Sequence, residues 1–240
     1  FKTGIGSVLS ESEQLLLDLA GAPSLTRDDL IVSPANLDAA SLVDRWPAWS
    51  APFAVLVGPQ GCGKTHLAEI WRKHSHAHQV NPGKLTDDDL DAAQHGEQLL
   101  IDGLTPENLD ETRLFHLMNA VRNAKSHMLL TAESPMEHWP IDTADLMSRI
   151  KSATTIHIAA PDDALLTGVI TKLFSDRQIE VQPAVIEYIV QRTERSLGVA
   201  NQLVDQLDKM ALINKSRVTK PLVKKLLDSI RDGQSGQELL

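Results

Sequence analysis

The chain has one cysteine and one tyrosine, and its aromatic residues make up only 4% of 240 positions. Each scarcity excludes something. A lone Cys62 cannot form an internal disulfide, which predicts a reducing setting. So few rings leave few platforms on which single-stranded bases could stack. Positive charge is also short: 23 Lys and Arg stand against 32 Asp and Glu, a formal net charge of −9, so no global field attracts a nucleic-acid backbone. Neither a signal peptide nor an apolar run approaching the ~20 residues of a membrane span is visible. These absences predict a cytoplasmic protein with no membrane partner and no direct specific DNA binding. No internal repeat is visible either.

What is present is 42% hydrophobic sequence, enough for one substantial core and a smaller satellite domain. Residues 1–24 read as a flexible polar tail around one apolar island. Residues 25–160 read as an α/β domain. A helix is expected over Asn36 to Trp46, closed by Pro47 and Pro52, then a strand over Phe53 to Val57, FAVLV, whose unbroken apolar run suits a parallel strand covered on both faces. A helix over Lys64 to His74 follows. Strands over Gln98 to Ile101, His127 to Thr131 and Thr154 to Ile158, with a helix over Asp110 to Ala124 between the first two, complete the alternation of a parallel sheet with right-handed crossovers. Beyond Pro161 the period is helical only, over Asp162 to Arg177, Pro183 to Thr193, Val199 to Asn214 and Lys220 to Ile230. This predicts a helical domain over 161–232 and a frayed tail over 233–240.

The segment GPQGCGKT, Gly58 to Thr65, matches G-x-x-x-x-G-K-[ST] at every fixed position and stands between an expected strand and helix. Glycines let backbone N–H groups converge on phosphates, Lys64 reaches the β- and γ-phosphates, Thr65 suits magnesium, and the helix start adds its dipole. A bound ADP or ATP with Mg is the expected cofactor. Cys62, inside this loop, reads as a small filler. Phosphate chemistry of this kind needs an acid at the end of a neighbouring strand, and Asp102 closes QLLID there. The next residue is Gly103, where a hydrolysing enzyme commonly has an acid to orient water. Glu107, Asp110 and Glu111 lie near, and read as the solvated start of a helix.

Thr131 and Glu133 end the third strand, and Thr131 reads either as a γ-phosphate sensor or as an ordinary strand threonine. Arg149, in DLMSRI, sits on a helix-to-strand corner. It reads either as surface charge or as an arginine that projects into a neighbour's active site. The leucines of QLLLDL, Gln14 to Leu19, need a burial partner, which is either their own domain or another protein's apolar groove. His74, His76 and His78 lack metal-site spacing and read as a solvated loop.

Taken together, LIVSPAN (Leu30 to Asn36), GPQGCGKTHLA, LLID, LLTAESP, ADLMSRI and the helical region ending near VTKPLVKKLL resemble the AAA+ domain of the bacterial replication initiator DnaA and, more closely, its Hda-like short homologues. The resemblance covers about residues 24 to 230. It implies an αβα sandwich with a parallel central sheet and a helical lid. It implies a nucleotide site formed by Gly58, Pro59, Gln60, Gly61, Cys62, Gly63, Lys64, Thr65 and His66, with Leu30, Ile31, Val32 and Asn36 around the adenine. Thr65 and Asp102 would hold Mg, Thr131 would be the first sensor, and Arg149 an arginine finger acting in trans. It further implies that Gln14, Leu15, Leu17 and Leu19 form the hexapeptide that binds the polymerase III sliding clamp (beta subunit), with DnaA as the second partner and a second copy of the chain as a third candidate. Gly198 stands where the lid's sensor arginine is expected, with Arg195 out of register. No helix-turn-helix module follows the lid. The expected activity is control of replication initiation by promoting hydrolysis of DnaA-bound ATP, with weak intrinsic turnover.

Overall fold

A computed structural model describes residues 25–237, with side chains over 25–230. The elements run α1 (Leu37–Asp44), β1 (Phe53–Val57), α2 (Lys64–Ser75), β2 (His78–Val80), α3 (Asp87–Gln94), β3 (Leu99–Leu104), α4 (Glu111–Ala124), β4 (Met128–Ala132), α5 (Ala144–Lys151), β5 (Thr154–His157), α6 (Asp163–Asp176), α7 (Pro183–Val190), α8 (Leu197–Ile213) and α9 (Lys220–Gln237). The five strands form a parallel sheet in the order β2-β3-β4-β1-β5.

Side-chain alternation explains the unbroken apolar strands. Phe53, Val55 and Val57 enter one core with Leu99, Ile101, Met128 and Leu130, covered by α3, α4 and α5. Ala54 and Leu56 point the other way and pack with Leu100 and Leu129 under α1 and α2. With neither face of β1 or β4 left to water, polar alternation has no place there. A third core belongs to the helical region: Leu166, Ile170, Phe174, Ile189, Val204 and Leu207 are among its buried residues.

Three expectations change. First, β3 does not stop at Ile101 but runs through Asp102 to Leu104, with a register irregularity between Ile101 and Leu104 where Gly103 takes a φ of +84°. A left-handed residue lets the strand bulge and resume pairing. Second, His78 opens the edge strand β2 instead of lying in a loop, and α3 follows it. Third, α9 reaches Gln237, into the stretch read as a tail, because no proline interrupts the backbone ladder beyond Ile230.

Helix starts in the lid follow their caps. Asp162 Oδ1 accepts from the Leu165 N–H at 2.7 Å to open α6, Pro183 opens α7, and Ser196 Oγ accepts from the Val199 N–H at 3.3 Å to open α8.

Candidate nucleotide site

The loop Gly58 to Gly63 leaves the C-terminal end of β1 and enters α2, whose first residue is Lys64. β4 pairs with β1, and β3 lies next beyond β4, so that three side chains meet at this end of the sheet. Thr65 Oγ1 donates to Asp102 Oδ2 at 2.9 Å, and Thr131 Oγ1 donates to Asp102 Oδ1 at 2.6 Å. The Gly103 N–H in turn donates to Thr131 Oγ1 at 2.8 Å. One carboxylate is thus held by two hydroxyls from two different elements. Thr65 and Asp102 present oxygen ligands suited to a hard cation such as Mg²⁺.

The Lys64 ammonium donates to the carbonyls of Gly58 and Pro59 at 2.7 and 2.9 Å. It is folded over the loop, where a phosphate oxygen could replace those carbonyls as its acceptor. The loop's glycines, the α2 start and Lys64 therefore fit a nucleotide phosphate chain. Cys62 is buried, and burial pushes its thiol pKa up against the opposing pull of Lys64, which suits an inert filler.

Thr131 is fully buried, with its hydroxyl directed to Asp102. Asn36 does not offer its side chain to a pocket: its amide donates to the Ile31 carbonyl at 3.0 Å, and its Oδ1 accepts from the Ser33 N–H at 2.9 Å, bracing the turn before α1. Leu30 packs on the α1/α2 core, and Ile31 lies against Gly168 of α6. Val32 is an exposed apolar residue at 40%. His66 Nε2 lies 3.1 Å from the Thr26 carbonyl, and burial holds its pKa below the usual histidine value. Residues 25–36 are thus bound to both α2 and the lid, where Lys172 of α6 pairs with Asp29 at 2.9 Å.

Contacts between the lid and the loop were not visible in the sequence. The Leu197 N–H at the start of α8 donates to the Gly61 carbonyl at 2.8 Å, and a Cβ on Gly61 would fall 2.0 Å from Ser196 Oγ. Gly198 follows in the first turn of α8, while Arg195 pairs with Asp163 at 3.0 Å across exposed surface. The place expected for a sensor arginine is therefore next to a backbone contact between α8 and the loop.

Arg149 lies in the last turn of α5, half-buried, and not projecting free as its corner position suggested. Its Nη2 donates to Asn119 Oδ1 of α4 at 2.8 Å, and its Nε is buried and, among the described residues, without a partner. The α4 face is close enough to claim the guanidinium. Glu111 accepts from the Asp142 and Thr143 N–H groups at 3.1 and 2.9 Å, which gives it a bracing role away from the loop, and the Thr143 side chain together with these N–H groups lowers its pKa. Among the described residues no group of three or more His, Cys, Asp and Glu is arranged to hold a metal, and no helix is long and apolar enough to cross a membrane. Gln14 to Leu19 lie outside the described residues.

Sheet order, phosphate loop and helical lid define a P-loop protein of the AAA+ fold. Residues 168–227 match the family model described as the lid domain of Hda. Domain III of the Thermotoga maritima initiation protein DnaA superposes with a TM-score of 0.72 at 16% identity, over 87% of this chain and 97% of that one. In sequence, an uncharacterized protein of Haemophilus influenzae is 23% identical over 74% of this chain and 82% of its own length. DnaA of Buchnera aphidicola is 23% identical over 73% of this chain but only 45% of its own length, so the chain spans less than half of that initiator. Residues 168–227 thus match the Hda lid family, on a chain whose fold is that of the AAA+ domain of DnaA.

Proposed function

We propose that this chain is a regulator of chromosomal replication initiation that holds ADP or ATP with Mg²⁺ in its own loop and promotes hydrolysis of ATP bound to DnaA. Lys64 and the loop amides bind the phosphates, Thr65 and Asp102 hold the cation, and Arg149 enters the nucleotide site of the partner. The position of Arg149 carries this reading. Its guanidinium takes no part in the Thr65, Asp102 and Thr131 cluster, and in reaching a neighbour's phosphates it would exchange its bond to Asn119 of α4 for theirs. The absence of an acid after Asp102 supports slow turnover in this chain itself. The Hda lid match supports replication control as the setting. Gln14, Leu15, Leu17 and Leu19 would tether the protein to the sliding clamp on DNA.

The test combines the chain with ATP-loaded DnaA and clamp loaded on DNA, and follows conversion of DnaA-bound ATP to ADP. Arginine fingers contribute about 10³- to 10⁵-fold in GTPases, so Arg149→Ala is expected to abolish stimulation while leaving nucleotide binding intact. Unchanged stimulation would exclude the finger. Gln14→Ala with Leu17→Ala is expected to remove retention on immobilised clamp, and retention equal to that of the parent chain would exclude the tether.

A second reading, an autonomous AAA+ ATPase that remodels a partner, draws on the intact Thr65, Asp102 and Thr131 cluster. Phosphate release by the isolated chain at more than trace rates would favour it. An adaptor that binds DnaA or the clamp without promoting hydrolysis would leave Arg149→Ala fully functional.

A further inference from the structure

Cations are unevenly distributed in this acidic molecule. Between positions 192 and 225 there are eight Lys and Arg against three Asp and Glu, an excess of five positive charges that leaves −14 for the rest of a chain of net −9. From Lys209 to Lys225 there are six cations and no carboxylate. Elsewhere four arginines are paired: Arg27 with Asp44, Arg72 with Glu69, Arg113 with Asp87, and Arg177 with Asp205. By contrast Arg192, Arg217, Lys220 and Lys224 are exposed, and none forms an ion pair among the described residues.

The fold draws these four together. Arg192 lies 3.8 Å from the centre of the Tyr188 ring, and the Lys220 ammonium lies 6.0 Å from the same centre. Arg217, Thr219 and Lys220 line a cleft of about 670 Å³ opposite Gln182 and Pro183 at the start of α7. Glu180 is the acid on that cleft. Lys224 follows Lys220 by one turn on the same face of α9. Like charges gathered around one ring repel each other unless an anion lies between or across them.

We propose that this face of the lid, Arg192, Arg217, Lys220 and Lys224 around Tyr188, docks on the phosphate backbone of duplex DNA. Charge complementarity favours it, and the acidic remainder of the chain would be repelled by DNA, so only this face can approach. A duplex fits better than a single strand. Single strands are held by stacking on open aromatic faces, and Arg192 already covers the Tyr188 ring. An acidic protein or a lipid surface would call for exposed apolar anchors, and the exposed Leu212 and Ile213 at the end of α8 are not among the residues lining this cleft. The contact is sequence-independent, requires neither clamp nor initiator, and so stands or falls separately from the regulatory role.

The test is fluorescence anisotropy of a labelled duplex of roughly two helical turns with the full chain and Mg-ADP. Three or four neutralised phosphates predict that affinity falls by about 40- to 150-fold between about 50 and about 200 mM salt. Lys220→Glu with Lys224→Glu is expected to weaken binding at low salt by at least about tenfold and to lower the salt slope by about two. Arg192→Gln with Arg217→Gln tests the same face independently should the first pair disturb α9, with circular dichroism as the check on folding. Leu212→Ser with Ile213→Ser is expected to bind as the parent does. No duplex binding at low salt, or binding unchanged in both charge variants, overturns the proposal. Capture by phosphatidylglycerol vesicles that depends on Leu212 and Ile213, with duplex ignored, would assign the face to a lipid surface and overturn it equally.

Discussion

A methyl group on Gly61 would fall 2.0 Å from the Ser196 hydroxyl, and the backbone there already has a φ of +73°. Gly61→Ala is therefore expected to lower stability by about 1–3 kcal/mol and to lift α8 from the loop. Thermal melting and amide exchange at Leu197 measure it, and a parental melt would show that α8 does not seat on Gly61. Gly103 differs: a Cβ there meets nothing within 4 Å among the described residues, although φ is +84°. Gly103→Ala should cost only the backbone term, about 1–2 kcal/mol. That left-handed backbone also disfavours the acid that a hydrolysing site would use at this position. Asp102 accepts two hydroxyls, so Asp102→Ala should remove the Mg²⁺-dependent part of nucleotide affinity and leave the Mg²⁺-independent part. Titration with a fluorescent ADP in magnesium and in chelator separates the two, and equal loss in both would deny Asp102 the cation.

Among the elements, β2 and α3 were the least legible in sequence. β2 has three residues, of which only Val80 is buried, so no period could reveal it. α3 had a readable signal in Thr86 and Asp89, whose side chains form a reciprocal capping box. Asp89 also takes His78 Nε2 at 2.7 Å, joining strand to helix. Burial would raise the Asp89 pKa, but the bonds from His78 and Thr86 outweigh it and hold the carboxyl below its ordinary value of 3.8. A lowered carboxylate pKa means that the unfolded chain binds more protons at acidic pH. The stability from Asp89 is thus complete above pH ~4 and is lost as pH falls through the folded value. Asp89→Ala should cost about 1–3 kcal/mol at neutral pH. Denaturant melts should show its difference from the parent shrinking below pH ~4, and a constant difference would refute the linkage. The phosphate loop, by contrast, was fully legible because its fixed positions lie in eight consecutive residues. The hydrogen bonds of Thr131 and Thr65 to Asp102 were not, because they depend on how β1, β3 and β4 line up across the sheet.

At the scale of the whole molecule, the alternation of strands and helices followed by helices alone was enough to place the α/β body and the lid. How the two meet was not, since residues far apart in sequence make the seam: Lys172 with Asp29, Ile31 against Gly168, and Leu197 on Gly61. A ligand bound across that seam stabilises both parts together. Mg-ADP at about 100 times its dissociation constant should add about 2.7 kcal/mol to unfolding, and Lys64→Ala should remove most of the gain at the same concentration. Calorimetric melts with and without nucleotide test this, and an equal rise in both chains would move the ligand away from the loop. The bond from α8 to the Gly61 carbonyl has a reciprocal side. Whatever grips the lid also pulls on the loop, and linkage requires that a partner which favours one lid angle change nucleotide affinity by the factor with which nucleotide changes the partner's grip. The release rate of ADP thus becomes a gauge of lid engagement, readable from outside without a label on the partner.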